Sequence, residues 1–187
     1  MSNHLAIATV TETWKHIVQE ALTTIDATLG ANVTVGKPSD NIKGNTVNIY
    51  LYQVVINEFL RNMDLGSGKK PTIALNLNYL LSFYGNETKQ VPQRLLGRVM
   101  AAIHARPVLD KNKIEEIIKT TAHINTSDLD QSMEKIKLAP IPFSLEESFK
   151  FWSTVKSGFT LSVAYEARVV LIESKIAARG SALPVKG

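Results

Sequence analysis

The sequence predicts an α+β fold: a single domain with a mixed, largely antiparallel sheet packed by helices. Three observations predict it. Residues 46–56, 72–84 and 160–172 alternate their side chains with the period of two that marks a strand. The segments near 10–25, 92–104, 112–120 and 145–155 instead space their apolar residues as a helix does. The resulting order is α, then β-β-β, then α-α, then β-α-β. Runs of strands beside runs of helices point to α+β rather than to a doubly wound sheet.

Each element has its own signature. In the first helix Val10, Trp14, Ile17, Val18, Ala21, Leu22 and Ile25 form one stripe, Glu12, Lys15, Gln19 and Glu20 face away from it, and Gly30 stands where the pattern stops. Val33 and Val35 indicate a short strand, broken by Gly36-Lys37-Pro38. In 46–56, Val47, Ile49, Leu51 and Val55 share one face while Asn48, Tyr50 and Tyr52 occupy the other. A turn-rich stretch, 63–71, leads to the clearest strand, where Ile73, Leu75, Leu77, Tyr79, Leu81 and Phe83 line one side. Pro92 suits the first turn of a helix bearing Leu95, Leu96, Val99, Met100 and Ile103 and ending near Pro107. Ile114, Ile117 and Ile118 mark a shorter helix, and 124–132 reads as a loop. Residues 133–138 predict a strand with Ile136 and Leu138 inward, ended by Ala-Pro-Ile-Pro.

Ser144 and Glu147 form a capping box, in which each satisfies the other's backbone amide at a helix start. The helix that follows should turn Leu145, Phe149, Trp152 and Val155 inward. The closing strand should carry Leu161, Val163, Tyr165, Ala167, Val169 and Leu171 on one face. No internal repeat or linker interrupts this order, so residues 1–174 are expected to be one domain and 175–187 a flexible basic tail.

Composition narrows the function classes. At 187 residues with 44% hydrophobic and 20% charged content, the chain resembles an ordinary globular domain. It has no apolar run near the ~18 residues of a membrane span, and Met1-Ser-Asn-His-Leu lacks the basic leader and apolar core of a signal peptide. Zero cysteines exclude a disulfide framework, a thiolate nucleophile and a Cys-based zinc site, in keeping with a reducing cytosol. Of the net +4, residues 175–187 supply +3 through Lys175, Arg179 and Lys186, leaving +1 for the rest. Nucleic-acid-binding domains gather basic charge on a folded face, so a solvated tail is the expectation.

The motifs of catalysis fail one by one. Histidines at 4, 16, 104 and 123 include no i, i+4 pair for a metal. Gly66-Ser-Gly-Lys69 lacks the earlier glycine of a phosphate loop, that position being Met63, and precedes a strand instead of a helix. Glu115 with Glu116 and Glu146 with Glu147 diverge by about 100° around their helices and cannot flank one bond. There is no Gly-x-Ser-x-Gly elbow, and the Asn-x-Ser/Thr matches at Asn32, Asn86 and Asn125 carry no meaning without a secretory route. The expectation is a chain with no catalytic, cofactor or metal site and no small-molecule substrate.

Four landmarks in order over about residues 5–173 resemble the tail-terminator, or cap, family of contractile injection systems, which are phage-tail-like particles. After the amphipathic helix comes Val47-Asn-Ile-Tyr-Leu-Tyr-Gln-Val-Val-Ile-Asn57, followed by Leu60-Arg-Asn62. Next is Leu75-Asn-Leu-Asn-Tyr-Leu-Leu-Ser-Phe-Tyr84 ahead of the helix from Pro92 to His104 and its Ala-Arg-Pro107-Val ending. The third runs from Met133 to Leu138 into Ser144-Leu-Glu-Glu-Ser-Phe-Lys-Phe-Trp152, and the last is Leu161-Ser-Val-Ala-Tyr-Glu-Ala-Arg-Val-Val-Leu171.

The resemblance implies a homohexameric ring on the end of the inner tube and sheath, stopping polymerisation and anchoring the sheath. It implies assembly in the cytoplasm into a particle that is released or stays inside the cell, with sheath and tube subunits as partners. Strand addition to an exposed sheet edge is the docking mode it suggests, at 160–170 or 133–138. Candidate interface residues are Arg61, Lys69, Lys70, Arg94, Arg98, Tyr165 and Arg168. Two alternatives stay open at this level: another adaptor ring of such a particle, and a nucleic-acid-binding domain that relies on the basic tail.

Overall fold

The strand that organises the molecule is β3 (Thr72–Tyr84), buried along most of its length and flanked on both sides by other strands. The computed structural model describes residues 2–25, 29–57, 72–132 and 134–173. These build one five-stranded sheet of order β1-β2-β3-β5-β4, with β1 (Asn32–Val35), β2 (Thr46–Ile56), β4 (Lys137–Ile141) and β5 (Ser162–Glu173) around β3. Only β1 and β2 run parallel; the other three pairings are antiparallel. The predicted α+β fold with a mixed, largely antiparallel sheet is the fold observed.

One face of the sheet is covered by α1 (Ala6–Ile25), α2 (Val91–Ala105) and α3 (Lys111–Thr120). Ala6, Val10, Trp14, Val18 and Leu22 recur every four residues along α1, so they form a single stripe, and all are buried. Trp14 sets its ring edge-on to Tyr79 of β3 at 4.7 Å and to Tyr165 of β5 at 5.8 Å. Gln19 ties the helix to the sheet edge, donating to the Ala31 carbonyl and accepting from the Val33 amide. Glu12, expected to face away, is instead nearly buried beside Lys15 and His16, because the packed stripe is wide enough to reach its flank.

The other face carries α4 (Leu145–Val155), whose Trp152 packs on Leu80 and Ala164. Its start is the predicted capping box: the Ser144 hydroxyl accepts from the Glu147 amide, and the Glu147 carboxylate accepts from the Ser144 amide. Gly85 makes the turn from β3 into α2 possible, since a Cβ there would meet the Val91 side chain at 2.6 Å. Asp110 caps α3 by accepting from the Asn112 amide. The predicted loop at 124–132 contains a short 3-10 turn, Leu129–Gln131, after another at Ala122–Ile124.

Three expected faces differ, two of them because of β-bulges. Leu51 pairs with Tyr79 but Gln53 with Asn78, so Tyr52 is an extra residue on β2. Beyond it the alternation flips, and Val55 leaves the face of Val47, Ile49 and Leu51 and is exposed. In β5, Ala167 faces Leu77 and Val170 faces Leu75, leaving two residues opposite Asn76. Val170, not Val169, therefore joins Tyr165 and Ala167 in the core. On α4, Leu145 and Phe149 are exposed, whereas Ser148 and Trp152 point at the sheet.

Candidate assembly interface

Backbone hydrogen bonding decides which sheet edges can accept another strand, because an edge is free only where its amides and carbonyls are unpaired. Both edges expected from the sequence are occupied. β5 is interior, with β3 along one side and β4 along residues 164–168 of the other. The strand expected at 133–138 is β4, shifted to Lys137–Ile141; Met133 lies outside the described residues. It forms the sheet's margin, but its outer side is covered. Leu138 donates to the Pro107 carbonyl at 2.6 Å, Leu109 donates to the Ile136 carbonyl at 2.9 Å, and Val108 bridges Lys137. Pro140 offers no amide, so the proline expected to end the strand instead closes its edge.

At the opposite margin β1 covers only residues 46–49 of β2. The Val33 amide is taken by Gln19, and Gly36 closes the pairing with a bond to the Ile49 carbonyl. On the side away from β3, residues 50–56 of β2 have no strand beside them among the described residues. Asn57 donates inward to the Ala74 carbonyl, so by alternation the backbone groups of Val54 and Ile56 point outward. Sequence reading missed this edge because strand order, not strand pattern, creates it.

The open edge is framed by aromatic rings on its α4 side. Tyr50 and Tyr52 lie 6.1 and 6.0 Å from Phe151, and Tyr52 and Phe143 are 6.2 Å apart. Burial, with Glu147 and Glu166 adding smaller effects, raises the Tyr52 hydroxyl above its ordinary pKa. Along the same face, Asn78 donates to Gln53 at 3.0 Å and Asn57 donates to Asn76 at 3.1 Å. The exposed half of the β2–β3 pair is thus held by side-chain amides as well as by its ladder.

The profile of the Pvc16 N-terminal domain family matches residues 9–185. The chain belongs to that family. Two solved structures share the fold at 16% identity. One is a sheath/tube terminator of an extracellular contractile injection system, PVC, in its extended state, with a TM-score of 0.63 over 97% of this chain. The other is the tube-terminating cap of an anti-feeding prophage, with a TM-score of 0.54 over 91% of this chain. The chain spans 61% and 59% of their lengths. No curated protein matches it.

Within this Pvc16 N-terminal domain, the residues expected at an interface are spread out. Arg94 and Arg98 lie on α2, exposed and half-buried. Arg168 pairs with the nearly buried Glu166 on the α4 face of β5. Tyr165 is buried against Trp14 and also lines a groove of about 340 Å³ between α2 and β4, with Met100, His104 and Leu138. Burial raises its hydroxyl above the ordinary value. Arg61, Lys69 and Lys70 lie outside the described residues, as does the basic tail at 175–187. Among the described residues no cluster of three or more histidine, aspartate or glutamate side chains is placed to hold a metal. No described helix is long and apolar enough to cross a membrane.

Proposed function

We propose that the chain is a structural cap that ends the tube and sheath of a contractile injection particle, without enzymatic activity. The observation that carries this reading is a fold shared with two terminators over more than nine-tenths of the chain, together with family membership. In this reading copies associate into a ring, six-fold as the sequence resemblance implies, during assembly in the cytoplasm. Ring and partners together stop polymerisation and hold the sheath end.

The open edge of β2 is the proposed dock for a strand of the sheath subunit. Backbone pairing would give affinity there, and the Tyr50 and Tyr52 rings would receive alternate side chains. Arg94, Arg98 and Arg168, with Arg61, Lys69 and Lys70 of the 58–71 connection, are proposed as polar contacts to the tube or to neighbouring copies.

Gold labelling of an epitope-tagged copy tests the placement. The label is expected at the particle end away from the baseplate; label at the baseplate would make the protein an adaptor ring instead. The dock has a separate readout, since amides of Val54 and Ile56 should exchange quickly in the free protein and slow when sheath subunit is added. Unchanged rates would move the dock elsewhere.

A further inference from the structure

Two trios of exposed apolar side chains lie on opposite faces of the sheet. The first is Leu145 and Phe149 of α4 with Phe159 just beyond it, exposed by 67%, 54% and 58%. The two phenylalanine rings stand 5.6 Å apart, so the trio is continuous. Its direction follows from helix geometry. Phe149 and Phe151 are two positions apart, about 160° around the axis. Phe151 packs toward Tyr50 and Tyr52, so Phe149 looks to the opposite flank of α4.

The second trio is Val54, Ile56 and Ile73, at the end of the β2–β3 pair and exposed by 46%, 52% and 41%. Directly paired residues share a face. Val54 pairs with Leu77, Ile56 with Leu75 and Ile73 with Ile172, all of which belong to or pack on the core beneath α1 and α2. The trio therefore extends that apolar face past the end of its helical cover. The reverse face of the same strand end is mainly polar, with Gln53, Asn57, Asn76 and Asn78 bonding one another in pairs around the single exposed Val55, so the larger apolar surface is on the trio's side.

We infer that these two surfaces bind each other between copies of the chain, the α4 trio of one copy against the sheet-end trio of the next. Each trio presents on the order of 300 Å² of apolar surface, within the range of the largest patch on a typical monomer, which is often functional. A standard interface removes about 800 Å² per partner, a little over half of it apolar. Each trio thus supplies most of the apolar centre of one such contact. Symmetry selects the arrangement. A two-fold contact joins a surface to itself, and a single contact plane cannot cover patches on opposite faces of the sheet. Head-to-tail contact covers both in every copy once the chain of copies closes into a ring. The inference rests on the ring reading above for its setting and names the surfaces that make the ring.

Absence of cysteine from the sequence makes the test direct. Phe149→Cys and Ile56→Cys are made singly and together, with Lys119→Cys on the exposed face of α3 as control; all three positions are exposed, and circular dichroism checks the fold. Under mild oxidation each single variant alone should stay near the control. Mixing the two should give a disulfide dimer several-fold faster, and the double variant should give a ladder beyond the dimer. Self-linking of either single variant as fast as the mixture would overturn the inference in favour of a two-fold contact. A mixture no faster than control would overturn it outright. The ladder would form whether or not the ring caps a tail, so failure of the cap reading leaves this result untouched, and the reverse also holds.

Discussion

Trp14 shows how one side chain holds two layers together. It is fully buried, sits edge-on to two tyrosines from different strands, and its indole Nε1 has no hydrogen-bond partner among the described residues. Packing rather than hydrogen bonding is therefore what it contributes. Trp14→Ala should cost about 3–5 kcal/mol by urea denaturation, whereas Trp14→Phe should cost clearly less, because it keeps most of the ring and removes the unpaired donor. A Phe variant as damaging as the Ala variant would mean that the indole nitrogen matters. At the α4 start, Ser144→Ala should cost about 1 kcal/mol through loss of the cap. Acid acts at two carboxylates. Bonds from the Ser157 hydroxyl and the Gly158 amide hold Asp40 below its ordinary 3.8, and bonds from Ser144 hold Glu147 below 4.5. Both contributions are complete above those ordinary values and are lost as pH falls through the lower folded-state values. Asp40→Asn should therefore be less stable than the parent chain at neutral pH, and the two should converge in strong acid. A gap that persists at low pH would show that the carboxylate is not the cause.

At the scale of elements, what the sequence shows and hides follows from what periodicity records. The α1 stripe, the β3 alternation and the Ser144–Glu147 box are local patterns, and each element stands where its pattern predicts. A bulge adds one residue without disturbing composition, so Tyr52 and the Arg168–Val169 step leave no mark in the pattern and the faces of Val55 and Val169 are misread. Likewise Leu145 and Phe149 fit an inward stripe because apolar spacing cannot distinguish a core from a surface that another molecule covers. Edges are hidden for a different reason. They depend on strand order and on remote segments such as 107–109 lying against β4. The β2 bulge itself is open to test. Deleting Tyr52 would make Leu51 and Gln53 neighbours in a regular ladder, still opposite Tyr79 and Asn78, and keep Val54 and Ile56 facing Leu77 and Leu75. It would remove the ring that packs on Phe143 and Phe151. Such a deletion should cost about 1–3 kcal/mol in urea denaturation through the lost ring packing; a neutral deletion would mean that the Tyr52 ring contributes nothing to the α4 face.

For the whole molecule, the charge distribution and the surfaces point in one direction. Most of the net positive charge lies at 175–187, outside the described residues, while the described residues offer an open strand edge and two apolar patches. Those surfaces support the proposed reading, in which copies of the chain join and an edge accepts a strand. If a nucleic-acid site lay outside the tail, binding should persist after removal of 175–187 and fall steeply with salt; we expect little binding once the tail is gone. The central claim, that the chain ends the tail, is tested most directly by the length distribution of particles assembled without it, imaged in negative stain. The account predicts tails of uncontrolled or unstable length, restored to a single length when the protein is supplied. Particles of normal, uniform length in its absence would contradict it.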